Sequence, residues 1–235
     1  MRELKRETQA TFSEIFWQTA LNLMGDNSNK DPCVLKGEAL PDPDVILNDH
    51  DNPVPRAIYN VQQSRLCSIF GKHDQGANQA IRVPPLSEES PGSSLIMGSL
   101  FTDAISLFAM ARKTRKGKYS KPAEQIRSKI KTWSKKGNPN VLHYSELLDA
   151  EHKAFKGKLS IARNYYQSAI TIAIRGGFIH DAALANERYA ITALELNDED
   201  EAIYRLKESI KLYKEWGAQK KVDCIRSEYP QFCLG

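Results

Sequence analysis

A chain of 235 residues with 41% hydrophobic and 26% charged side chains can bury a core, which excludes a disordered polyelectrolyte. Its formal net charge of +4 implies no bulk attraction to polyanions, but the charge is unevenly spread. Between Arg112 and Lys136 stand eleven Lys or Arg and one acid, Glu124, leaving 22 bases against 28 acids elsewhere.

Residues 2–24 read as a first helix, with Phe12, Ile15, Phe16, Thr19 and Leu23 along one side and Trp17, Ala20, Leu21 and Met24 widening it. Gly25-Asp26-Asn27-Ser28-Asn29 stops that helix. The segment 25–55 carries Pro32, Pro41, Pro43, Pro53 and Pro55, so it is expected to be an irregular connector with at most a short helical turn near Asp44–Asn48. A second helix is expected from Arg56 to Phe70. A weaker third follows from Lys72 to Arg82, where Gly76 stands in for a close-packing alanine. The stretch 83–94, VPPLSEESPGSS, is a Pro- and Ser-rich break.

Helical spacing returns over 95–113 with Leu100, Ala104, Leu107, Phe108 and Ala111. The basic helix is expected from about Ser120 to Lys136, with Ala123, Ile126, Ile130 and Trp133 facing inward and Gly137-Asn138-Pro139 ending it. Over 140–156, Tyr144, Leu147, Leu148, Ala154 and Phe155 point to a core. Gly157-Lys158 then opens the most regular helix of the chain, which ends at Gly176-Gly177. The next, over 178–196, packs through Ala185, Tyr189, Ala190 and Leu194. Asp198 and Glu201 have the spacing of a capping box at the start of a helix that runs to Trp216. A last helix carries Ala218, Val222 and Ile225 as far as Tyr229-Pro230 and reads as a cap.

The helix after Gly157 shows what unites these elements. Leu159, Ala162, Tyr166, Ala169, Ile170 and Ala173 form one stripe in which small residues admit a neighbouring backbone and a tyrosine fills the remaining groove. A glycine, an alanine five on, an aromatic four later and another alanine three later resemble the second helix of a tetratricopeptide repeat. Turn residues recur at Gly71, Gly117, Gly157 and Asn197, and the stripe recurs as Ala202, Leu206 and Ser209. An ordinary helical bundle with coincidental spacing is the plainer alternative. It leaves the joint recurrence of turn and stripe unexplained.

Over most of the chain the resemblance extends to the tetratricopeptide-like region of large signalling ATPases, including multidomain hybrid histidine kinases and serine/threonine kinases. It is carried by AEHKAFKGKLSIARNYYQSAITIAIRGGFIHDAALANERYA, by YKEWGAQKKVDCIRSEYP, by Trp133 and, more loosely, by NLMGDNSNKDPCVLKGEAL. The family's chemistry sits in kinase and ATPase modules, and their motifs are missing here. Gly117-Lys118 and Gly157-Lys158 lack the rest of a P-loop, and no kinase loop signature occurs.

No other chemistry is suggested. The five histidines form no HExxH, and Asp44, Asp49, His50 and Asp51 lack calcium-loop spacing. Cys33, Cys67, Cys224 and Cys233 fit free thiols in a reducing compartment. The charged N-terminus has no signal-peptide core, and no apolar run approaches the roughly 20 residues of a membrane span.

The expectation is therefore an all-α, tetratricopeptide-like helical-repeat solenoid of about ten helices. It divides into an N-terminal helix (1–24), a Pro-rich connector (25–55) and repeats with a C-terminal capping helix (56–235). The expected function is non-catalytic: a protein–protein interaction or regulatory scaffold module of a signalling assembly, cytoplasmic, with no cofactor, metal or catalytic residue and no membrane partner. Its partner would be a protein segment lying in a concave groove near Asp149, Lys153, Asn186 and Glu187. One alternative is nucleic-acid or polyanion binding through Lys121, Lys129, Lys131, Lys135 and Lys136. Others are a fragment of a larger signalling kinase or ATPase, and a subunit whose active site a partner completes.

Overall fold

The structure, a computed structural model, describes residues 2–26, 30–49, 51–86 and 92–233, with side chains described from Thr8 to Phe232. Asn27–Asn29 of the first stop signal, His50 of the acidic loop, 87–91 of the Pro- and Ser-rich break and the side chain of Cys233 lie outside the described residues. Within them the chain is all-α, with twelve helices and no strand. The helices are α1 (Arg2–Met24), α2 (Asp44–Leu47), α3 (Pro53–Ile69), α4 (His73–Arg82), α5 (Leu95–Thr114) and α6 (Gly117–Lys135). After a 3₁₀ turn at Pro139–Val141 come α7 (Leu142–Phe155), α8 (Leu159–Arg175), α9 (Ile179–Glu195), α10 (Glu199–Glu215), α11 (Gln219–Glu228) and α12 (Pro230–Cys233). Consecutive helices pack on one another, most extensively α7 on α8 and α9 on α10, as in a helical array.

The rhythm is stricter than expected. The helices α8, α9 and α10 each have 17 residues and begin at Leu159, Ile179 and Glu199. From α6 onward the left-handed residues between helices are Gly137, Gly157, Gly177, Asn197 and Gly217, one every 20 positions, with Asn197 at φ 57°. At each the following amide reaches back five residues, as from Lys158 to the Lys153 carbonyl (2.9 Å) and from Asp198 to the Ala193 carbonyl (3.0 Å). This is the Schellman closure, which satisfies the last carbonyls of one helix while turning the chain into the next. Asp198 caps α10 by accepting from the Glu201 amide.

Three expectations need correction. The turn before α6 is not at Gly117-Lys118: the left-handed residue is Arg115 (φ 57°), and Gly117 already belongs to the helix. The helix after Ala218 ends at Tyr229-Pro230 as expected but is not the last, because the short α12 starts on Pro230, where a missing N–H is no loss. And α5, 20 residues long, is apolar enough to span a membrane by length and composition. Its apolar residues are largely spent on the core: Phe101, Ala104, Ile105, Leu107, Phe108 and Ala111 are buried. Gly76 lets α4 approach this helix, since a Cβ there would stand 2.6 Å from Ser106 Oγ.

Two hydrophobic clusters share α9 as a common wall. Ala182, Ala183 and Ala190 face a cluster that includes Ile15, Leu35, Leu66 and Phe70 together with Val222 and Ile225. Leu184, Ala185 and Tyr189 face the other, built from α4 to α8. Helix α9 is buried on nearly every side, with Asp181, Asn186, Glu187 and Arg188 enclosed along with its apolar residues. The N-terminal helix also packs against α11 near the other end of the chain, so the first and last parts of the array meet.

Candidate functional site

The groove expected along α7 and α9 is not open. Asp149, Asn186 and Glu187 are buried, and only Lys153 is half-exposed. Each buried residue is committed within the chain. Asp149 accepts from Arg127 and, at 2.6 Å, from Lys131. Glu187 accepts from Lys221 Nζ at 2.6 Å and from the Tyr213 hydroxyl at 3.2 Å. Asn186 donates to the Ala182 carbonyl and accepts from Arg205. Helices α4 and α11 of the chain itself reach α9 here, through His73 on Arg188 and Lys221 on Glu187.

The most elaborate arrangement is centred on Glu151 of α7, whose side chain is wholly buried. Arg188 of α9 donates to both of its oxygens, at 2.8 and 2.9 Å. The Tyr166 hydroxyl donates at 2.8 Å, and Arg112 of α5 stands 3.4 Å away. Burial alone pushes this carboxyl up, but Arg188, Arg112 and Tyr166 outweigh it and hold it at about 2. Arg188 also donates to His73 Nε2 of α4 (3.3 Å), so one carboxylate ties together α4, α5, α7, α8 and α9. Burial and the Arg188 charge drive His73 down to about 3, and the imidazole is neutral at physiological pH. Such a fork fixes geometry. Its glutamate has no free lone pair for proton transfer.

A third carboxylate, Asp181, accepts from His143 at 2.9 Å and lies 3.4 Å from His180. It borders a cleft of about 460 Å³ between α3, α5, α7 and α9, with Phe101 stacked on Tyr144 at 4.0 Å. Burial and the Asp181 charge raise the Tyr144 phenol, so it stays protonated. Elsewhere Cys33 and Cys67, unrelated in sequence, lie side by side. Their mutual hydrogen bond and burial raise the Cys33 thiol, which makes it a poor nucleophile.

The basic segment behaves differently. Lys121, Lys129, Lys135 and Lys136 are exposed, while Lys131 is half-exposed and paired with Asp149. Lys116 and Lys118 at the start of α6 are exposed as well, as are Lys113 and Arg115 before it. Among the described residues none of these eight exposed bases has an ion-pair partner. Glu124, the only acid of the segment, is taken by Lys156 and His152.

Sequence reasoning missed Glu151, Arg188, Arg112 and His73. A usable signal was present: Leu147, Glu151 and Ala154, or Ala185, Arg188 and Thr192, put a charge on a line of buried residues at helical spacing. No protein-family model, curated protein or solved structure matches this chain.

Proposed function

We propose that the chain is a non-catalytic, tetratricopeptide-like interaction module that takes an acidic protein segment on the exposed face of α6. The observation that carries this reading is the set of six exposed bases without an ion-pair partner on and beside that helix, Lys116, Lys118, Lys121, Lys129, Lys135 and Lys136. The carboxylates of the inner helices Asp149, Glu151, Asp181 and Glu187 are already committed to cations or histidines of the chain itself. Charge complementarity of this kind steers encounter and sets specificity, and it weakens as salt screens it. The twenty-residue rhythm and the small–large–small stripe of α8 support the repeat assignment.

Binding of a fluorescent polyglutamate peptide to the full chain tests the reading. Reversing Lys121, Lys129, Lys135 and Lys136 to Glu should abolish binding while leaving helix content unchanged. Retained affinity in that variant would remove the basis for the proposal.

Nucleic acid is the second reading, favoured by the same unpaired lysines. It predicts that duplex DNA displaces the peptide and that log affinity falls linearly with log salt, with a slope set by the number of phosphates neutralised.

A further inference from the structure

Beside the Glu151 centre, between α4, α5, α7 and α9, lies a separate cleft of about 410 Å³ whose polar lining is cationic. Arg112 and Lys113 come from the last turn of α5, Arg115 from the left-handed residue after it, Arg188 from the middle of α9 and His73 from the start of α4. Glu195 is the one carboxylate of the lining.

The charges do not cancel. Arg188 is held by Glu151, and Arg112 divides itself between Glu151 (3.4 Å) and Glu195 (2.6 Å). Lys113 and Arg115 have no ion-pair partner among the described residues, so four cations face two carboxylates. Two positive charges are left over. The Arg115 guanidinium is already placed, donating to the Phe155 carbonyl and lying 5.6 Å from the centre of the Phe155 ring. His73 lies in the lining as a neutral ring. Its Nε2 accepts from Arg188, which puts the hydrogen on Nδ1, and Nδ1 has no partner. Glu195 is half-exposed at 45%, so its carboxylate sits on Arg112 from the solvent side, where another oxyanion could replace it.

We propose that this cleft binds a phosphoryl dianion, either as a free inorganic ion or carried on a phosphorylated side chain of a partner. Two uncompensated charges match the roughly −1.5 to −2 of a phosphomonoester at neutral pH, and arginine forks suit its oxygens better than those of a lone carboxylate. The inference rests on Lys113 and Arg115 and not on the six bases of the α6 face. Lys113 and Arg115 line the cleft, whereas Lys129 and Lys135 do not.

Calorimetric titration of the full chain at about 150 mM salt would use inorganic phosphate, pyrophosphate, and a phosphoserine peptide with its unphosphorylated counterpart. Saturable binding of one equivalent is expected. It should weaken by about tenfold or more in Lys113→Ala/Arg115→Ala, which removes the two unpaired charge-assisted donors. Glu195→Gln should tighten it by releasing Arg112, and Lys129→Ala/Lys135→Ala should leave it unchanged. Binding of the inorganic ions identifies a free anion as the ligand, and binding of the phosphopeptide alone identifies a modified partner. Absence of saturable binding by every probe overturns the proposal. So does equal weakening by the two double variants, which would mark diffuse attraction, or an affinity indifferent to Glu195→Gln. Loss of polyglutamate binding in the α6 variants with phosphate binding intact would separate the two surfaces.

Discussion

At the scale of single residues, the buried ions are better understood as constraints than as sources of stability. Removing one partner of such a pair strands the other in a medium that cannot solvate it. Glu151→Gln should therefore cost about 3–5 kcal/mol, read as a lower denaturant midpoint. Replacing Glu151 and Arg188 together by apolar residues of similar volume should cost much less than the sum of the single changes. His73 sets a different dependence. Its pKa falls from 6.5 to about 3 on folding, so below pH 6.5 the unfolded chain takes up a proton that the native chain refuses. Stability conferred by the neutral ring is complete above that value and is lost as pH drops toward 3. The loss is on the order of 1 kcal/mol per pH unit. His73→Gln should flatten the stability profile between pH 6.5 and 5, and a wild-type slope there would contradict the assignment. Glu151 acts lower: its stabilisation is present above 4.5 and fades as pH falls toward 2.

At the scale of the element, the unit is a 17-residue helix closed by a left-handed turn, and its inward stripe was readable in advance. Ala162, Tyr166, Ala169, Ile170 and Ala173 are the buried residues of α8, and Leu159 packs half-buried beside them. Ala169→Leu should destabilise by roughly 1–3 kcal/mol through overpacking. The comparison site, Arg163, pairs with Asp198 in a partly exposed bridge at 2.9 Å, so Arg163→Leu should cost about 1 kcal/mol or less. Equal midpoint shifts in the two variants would refute the stripe. The Asn197 turn was legible because few residues besides glycine accept a positive φ. The turn at Arg115 was not, because nothing in arginine announces that backbone, and the nearby Gly117 drew attention away from it. Acids on α7 and α9 were misplaced for a related reason. A helical pattern shows which face a residue takes, but not that Lys221 lies 34 positions from Glu187 in sequence and touches it in space.

At the scale of the molecule, the contact of α1 with α11 distinguishes this array from an open stack. In an open stack each unit leans only on its neighbours, and damage at one end stays there. Here Ile225 and Ile15 belong to the same buried cluster. Ile225→Ala should cost about 2–5 kcal/mol and also speed amide hydrogen exchange in α1. Exchange changes confined to α10–α12 would show that the two ends are independent. This closure lay beyond the reach of local periodicity. Each helix displays its own stripe, but which distant stripe it will meet is decided by complementary shape and by pairs such as Arg188 with His73. For the same reason Glu187→Lys is expected to unfold the chain rather than probe a groove, since it would set a second cation against buried Lys221.

The meeting of α1 with α11 also imposes a delay during synthesis. At ribosomal rates of about 5–20 residues per second, the roughly 200 residues from Ile15 to Val222 take on the order of 10–40 s to appear. Through that interval the inner side of α1 is covered only in part, by α3 and by the connector that Gln18 and Asn22 bind. Trp17, Phe16 and Met24 on its outer side are exposed even in the finished fold, at 62%, 38% and 50%. The nascent chain thus presents an oily helix until its last partner is made, a species that chaperones hold and that crowding turns toward aggregation.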